Sequence, residues 1–525
     1  MPAPQILEES LPSRLPSLAI GTPSSILAAF LALVALYVLF IAPSEDAIIP
    51  SYEVVGMMPG DTIRDAKNRY ANFPRAILAE GLKKYRGKGF QVVTPTAPMI
   101  VLPKRYTEEI KSHPHLSFTR NIEKSMAASL PGATWIPGMG GFKFACDHLD
   151  IFAAVARQDL TLALGKITQD LCDETKFALQ KCFPISKDDS DWKNVTLYPA
   201  TVDLVSRLSA RIFLGEDLCR NDKWLHVSGA YAVEGVDYSR AMREWPSFLK
   251  PIVQFFVPQR WRLIQYEKEA KRIIGEELRR RQREKGVYKD SLQWFQDRKN
   301  KTKANFDLAE AQLAMGNGAI HTTSMALTRA LFDLCAHYEW VQPLRDEVVR
   351  VLAEDGGWKK TTLYKMKLMD SFLKESQRLN PVHFTIMTRL AEKDVELSDG
   401  VKLRKGDMVT VTTPESMGDP AVFEDPDRFI GDRFLKLREL PGNENKWQYV
   451  TTSTDHIGFG HGQHACPGRF FAGNELKIAL AHMLLQYDWK IADGYTARNI
   501  EKAQDIIPDP TVKISYKRRE AEIEL

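Results

Sequence analysis

Cysteine is scarce. Six residues in 525 (Cys146, Cys172, Cys182, Cys219, Cys335, Cys466) lie scattered with no CxxC pair, which leaves neither a disulfide framework nor zinc-ligand spacing. That usage suits a reducing compartment and keeps single thiols free. An excess of one charge is missing too: 71 Lys and Arg against 67 Asp and Glu give a net charge of +4. No basic block carries interleaved aromatics, so nothing points to nucleic acid. The arginine cluster within residues 270–285 is read as a solvated helix face rather than a site for an anionic partner. No GxGxxG marks a strand-to-helix turn, which excludes an internal dinucleotide module of that type. Internal repeats and low-complexity tracts are also absent.

Long apolar runs are equally rare. Residues 26–42 carry no charge, at the short end of what spans a bilayer. A cleaved signal peptide and a buried core helix compete with an anchor. Glu8, Glu9 and Arg14 before the run, and Pro43-Ser44-Glu45 after it, do not suit a cleavage signal. The expected organisation is a short segment 1–25, a transmembrane anchor 26–42, a Pro/Gly-rich connector 43–60 and a catalytic domain 61–525. Arg64, Lys67, Arg69 and Arg75 favour a cytosolic catalytic domain. Residues 61–82 read as helix, 89–94 and 98–102 as a hairpin, and 113–145 as irregular. Helical periodicity dominates from about residue 151 to 380, and 394–412 turn β-like again.

What is present is concentrated near the C-terminus. Residues 459–469 run Phe-Gly-His-Gly-Gln-His-Ala-Cys-Pro-Gly-Arg: glycines that let backbone loop closely around a flat, bulky group, then a cysteine where a helix opens. First-turn N–H groups and the positive end of that helix are expected to favour a thiolate at Cys466. A thiolate so presented suits axial ligation of haem iron. The run resembles the haem-binding loop of the cytochrome P450 family, Phe-x-x-Gly-x-x-x-Cys-x-Gly. Phe459, Gly462, Cys466 and Gly468 fill that template, and His464 stands where the family has Arg or His. Three further stretches resemble family motifs in the family's order. Glu375 and Arg378 form an ExxR pair at i, i+3, with Arg433 in the run 425–434 as third member of a buried structural network. The sequence around Gly318-Ala319-Ile320-His321-Thr322 resembles the oxygen-activating helix. Thr322 matches the family's proton-delivering threonine, while Ala319 and His321 depart from its Gly and acidic positions. A histidine can relay protons near neutral pH; a hydrogen-bonded core histidine is the alternative.

The resemblance implies a mainly α fold with small β-sheets, the cytochrome P450 fold, as one large helical domain behind the anchor. It implies one haem b, held by Cys466 as the iron's axial ligand. His464, Arg389 and Arg157 are candidates to meet the propionates, Arg157 on a motif whose tryptophan is replaced by Ala153. Gly318, Ala319, Phe384, Ile386 and Met387 are expected to line the substrate pocket. The implied activity is monooxygenation of a hydrophobic small molecule, a secondary metabolite such as a terpenoid or polyketide, with O2. Electrons would come from NADPH through a separate NADPH–cytochrome P450 reductase at the endoplasmic reticulum membrane, with a single-pass anchor. An oxygen-independent isomerase or dehydratase and a non-catalytic haem-binding membrane protein are the alternatives.

Overall fold

The computed structural model describes residues 47–127, 138–186, 191–245 and 249–523. The expected span 26–42 lies outside the described residues; among those described, no helix is long and apolar enough to cross a membrane. The later part of the expected connector is not a linker. Val54–Val55 pairs in parallel with Gln91 and Val92, and Ile49 N–H donates to Gln91 Oε1 at 3.0 Å, so the folded unit begins upstream of residue 61.

One sheet combines β1 (Val54–Val55), β2 (Phe90–Val93), β3 (Pro98–Val101), β4 (Leu116–Ser117), β5 (Thr385–Ala391) and β6 (Met408–Thr412) in the order β1-β2-β3-β6-β5-β4. The expected hairpin is β2–β3, antiparallel. The helix expected over 61–82 is two helices, Ile63–Asn72 and Pro74–Lys84. Pro74 has no N–H to continue the first and starts the second instead. The stretch expected to be irregular holds β4 and two helices, α1 (Phe118–Met126) and Gly140–Asp147; its residues 128–137 lie outside the described set.

The helical part is built on α2 (Thr161–Cys182), α3 (Leu197–Leu214), α4 (Asp222–Arg243), α5 (Pro258–Glu284), α6 (Leu308–Ala336), α7 (Lys367–Leu379) and α8 (Arg469–Gln486). At 29 residues α6 spans roughly 43 Å and packs on α3, α4 and α5. Asp307 caps it, accepting from Ala309 N–H at 2.7 Å. The main core gathers fully buried leucines from α3, α6 and α8, among them Leu204, Leu208, Leu327, Leu331, Leu480 and Leu484. Buried side chains surround α6 for most of its length, which makes any accessible stripe in its middle informative.

Candidate active site

The cysteine loop is closed by its own backbone. Cys466 N–H donates to Phe459 O at 2.8 Å and Gly460 N–H to Ile457 O at 2.7 Å, and Phe459 packs edge-on to Tyr449 at 5.2 Å. Gly462 has φ +77°, and an added Cβ would lie 2.6 Å from Lys111 Cβ, so glycine is required there twice over. Gly468 differs: its φ is −90° and an added Cβ would meet no protein atom within 4 Å. Cys466 lies just before α8. Burial pushes its thiol up, while the N–H groups of Gly468 and Arg469 and the nearby Arg469 and Arg157 charges pull it back. The net direction is upward, against the expectation of a thiolate favoured by the protein alone, because burial outweighs the helix end.

Two arginines border this loop, and a histidine within it faces one of them. Arg157 sits in a π-helical turn, Val155–Leu160, and donates to Gln463 O and, at 3.3 Å, to Ala465 O. His464 stacks on Phe118 at 5.1 Å, and Arg389 lies over the same ring at 5.5 Å. Arg389 is buried, with Nε lacking any hydrogen-bond partner, and burial lowers it to about 10. His464 is lowered by burial and by the positive charges of Arg389 and Arg157. Phe118, which organises the pair, was invisible in sequence because no spacing links residue 118 to 389 or 464.

In the middle of α6 the accessible residues are Asn317, Gly318, Ala319, His321, Thr322, Met325 and Ala326, a patch recurring at helical spacing between largely buried stretches. Thr322 Oγ1 donates to Gly318 O at 3.1 Å, which holds the hydroxyl against the helix with its lone pairs outward. An added Cβ on Gly318 would meet Phe152 at 3.6 Å and nothing closer. His321 turns toward α4, its Nε2 3.4 Å from Gly229 O. Burial lowers it, partly opposed by that contact, which keeps the ring neutral near pH 7 (about 6.5 is its ordinary value).

The expected network is present. Glu375 accepts from Arg378 at 2.8 and 2.9 Å and from Arg433 Nε at 3.0 Å, with Ile430 N–H at 3.1 Å. The remaining guanidinium donors reach the carbonyls of Met417, Glu424, Asp425 and Arg428. The triad therefore holds the run 417–430 and not the cysteine loop directly. A second set on α7, unseen in the sequence, holds the segment leading into the loop. Lys374 Nζ donates to Gln448 O and Thr451 O at 3.0 and 2.9 Å, and Asp370 accepts from Tyr449 N–H at 2.7 Å while pairing with Lys477.

The pocket expectation needs correction. Phe384 is buried in the cluster of Tyr70, Ile77 and Val92 with Arg75 over its ring, and Met387 is buried with Ile100, Leu102 and Tyr106. Both belong to the apolar core of the sheet region; Ile386 alone keeps accessible surface. For Met387 the reason is a bulge in β5, where the register against β6 shifts between Ile386 and Arg389 and Met387 takes φ +58°, which re-aims its side chain.

Comparison with known proteins decides the family. A family model described as Cytochrome P450 matches residues 212–518. The chain is 37% identical over 504 residues to "Cytochrome P450 monooxygenase hepE" of Aspergillus oryzae, covering 93% of this chain and 90% of that protein. The chain belongs to the cytochrome P450 family. It is also 36% identical over 451 residues to "Cytochrome P450 monooxygenase TRI1" of Fusarium sporotrichioides, covering 85% of this chain and 81% of that one. Among solved structures, "Retinoic acid bound cyanobacterial CYP120A1" shares the fold, with a TM-score of 0.62, 16% identity and 85% of this chain and 95% of that chain covered. The protein is thus a monooxygenase-class oxidoreductase with a haem-thiolate cofactor, supplied with NADPH-derived electrons by a reductase.

The residues of this P450 fit that cofactor. Among the described residues no group of three or more His, Cys, Asp or Glu could hold a metal. A metal on Cys466 would therefore take its other ligands from the cofactor, as a porphyrin provides. The unpartnered Nε of Arg389, beside His464, suits an anionic propionate in the same way. When bound, the haem supplies thiolate-assisted cleavage of the O–O bond. Cys466 would hold the iron, and Arg389, His464 and Arg157 are the residues that would meet the propionates.

Proposed function

We propose that the protein inserts one oxygen atom of O2 into a hydrophobic small molecule, a secondary metabolite of terpenoid or polyketide type. RH, O2, two electrons and two protons give ROH and water. The observation that carries this reading is the accessible patch on α6 containing Gly318, Ala319 and Thr322. A helix otherwise packed on three sides opens there beside a hydroxyl able to give and take a proton. An oxygen-independent isomerase has no use for that hydroxyl. Thr322 is the proton-delivering residue in this reading, with His321 its neutral neighbour.

The test is turnover of a panel of terpenoid and polyketide candidates with NADPH, a P450 reductase and isotopically labelled dioxygen. Label in the product is expected. Product formed in the absence of O2, or without label, overturns the reading.

The same proposal places the catalytic domain on the cytosolic side of the endoplasmic reticulum membrane, anchored by residues 26–42. Deleting residues 1–42 should release much of the protein from membranes and leave haem content unchanged, since Cys466, Arg378 and Arg433 all lie far beyond the cut. Unchanged sedimentation with microsomes would remove the anchor from the proposal.

A further inference from the structure

Away from the cysteine loop, three distant segments bring ionisable groups together at the C-terminal end of α4. His383 Nδ1 pairs with Asp505 at 3.0 Å. Arg240 reaches the other Asp505 oxygen at 3.6 Å and Asp237 at 3.0 Å. Arg243 stands beside them in a different condition. One nitrogen donates to Ser125 O at 2.8 Å, while Nε is buried without a partner. The charges it feels are those of Asp505 and Arg240, and neither forms an ion pair with it among the described residues. A buried guanidinium N–H without an acceptor is costly. The Nε edge of arginine is the one that pairs in a fork with a carboxylate.

The position of the cluster relative to α6 gives it meaning. Gly229, Val236, Arg240 and Arg243 recur at i, i+7, i+11 and i+14, one face of α4, and all four retain accessible surface. Gly229 is where α4 meets His321 of α6, one residue from Thr322. An added Cβ on Gly229 would meet nothing within 4 Å, so the face is open at that end. Fourteen residues of helix separate Gly229 from Arg243, a distance of about 21 Å. A small, apolar track therefore leads from the oxygen helix to a charged cluster.

Resting on the monooxygenase reading above, we infer that Arg243, steadied by Arg240, Asp505 and His383, binds the carboxylate of an elongated amphiphilic substrate. Its apolar body lies along Gly229 and Val236, so that oxidation falls far from the acid end. Asp505 does not repel such a ligand strongly because His383 and Arg240 already face its two oxygens.

The test uses the full-length holoprotein and two probes, octadecanoic acid and its methyl ester, titrated at neutral pH by the shift of the haem Soret band. Wild type should bind the acid about tenfold more tightly than the ester. R243Q should bring the two within about twofold of each other, and R243K, which keeps the charge but not the fork, should restore part of the difference. Equal affinities in wild type, a preference that survives R243Q, or no shift with either probe would each overturn the inference. The CO-difference spectrum is recorded on every sample. A wild type without the thiolate band would instead refute the reading beneath, and a variant that keeps the band has folded and bound haem, so its loss of preference reports the subsite.

Discussion

Charge is handled in opposite ways in two sets of buried arginines. Under the run 417–430, Glu375 is shared by Arg378 and Arg433, and their remaining donors end on carbonyls. Elsewhere, at Phe118 beside the loop and at the end of α4 away from it, Arg389 and Arg243 each keep a buried Nε with no partner. A closed network has nothing left to offer a ligand and acts as scaffold. An open one has desolvated a donor without using it, which is where a ligand would be expected. The contrast gives residues of one type two different roles. Arg378 and Arg433 hold chain, whereas Arg389 and Arg243 await an anion.

The sharpest way to break this comparison lies between its two halves. Cys466→Ala should abolish haem-thiolate binding altogether, seen as loss of the red-shifted Soret band of the reduced CO complex. Retention of that band would remove Cys466 as the ligand. Next in size, Glu375→Gln should destabilise the fold by about 3–5 kcal/mol, because it strands two buried guanidiniums. Arg389→Gln should leave the apoprotein's thermal stability nearly unchanged yet speed haem transfer to apomyoglobin. Equal losses of stability in both variants would erase the distinction between scaffold and ligand-binding arginines. Thr322→Ala should leave haem spectrum and substrate binding intact while NADPH consumption runs ahead of product and hydrogen peroxide is released. Full coupling in that variant would take the hydroxyl out of proton delivery.

The smallest effect concerns pH. Burial raises Glu475 on α8 to about 8, while the unfolded chain titrates it near 4.3, as model peptides do (about 4.3). Between those values the folded protein keeps a proton that the unfolded chain has lost, so this group's contribution to stability falls as pH rises through the window. Glu475→Gln should flatten part of the decline in melting temperature between about pH 5 and pH 8. Asp333, raised to about 7 by burial, supplies a slope of the same sign that the variant leaves in place. An unchanged slope would show that Glu475 is ionised in the fold.

What was legible in the sequence was what lies close along the chain. Cys466 and its glycines occupy one turn-rich run, Glu375 and Arg378 one helical turn, and Gly318 and Thr322 another. Arg433 became readable only through the family pattern of the run around it. Sites assembled from afar were not legible: Phe118 with Arg389 and His464, or Arg243 with His383 and Asp505, depend on tertiary contacts that no periodicity encodes. Asp370 and Lys374 were overlooked because charged residues on a helix usually face solvent, whereas here both are buried. The burial of Met387 was not legible because composition gives no sign of the bulge that re-aims β5.

The π-helical stretch Val155–Leu160 has a consequence for changes in chain length. A π turn holds one residue more than an α-helical path between the same ends. Deleting a residue there would close the wide turn into a regular helix between unmoved flanks, so the change falls on the side chains within the turn itself. Arg157 would swing off the carbonyls of Gln463 and Ala465, 306 and 308 positions away along the chain. A one-residue loss that looks harmless within a helix would thus be felt at the cysteine loop.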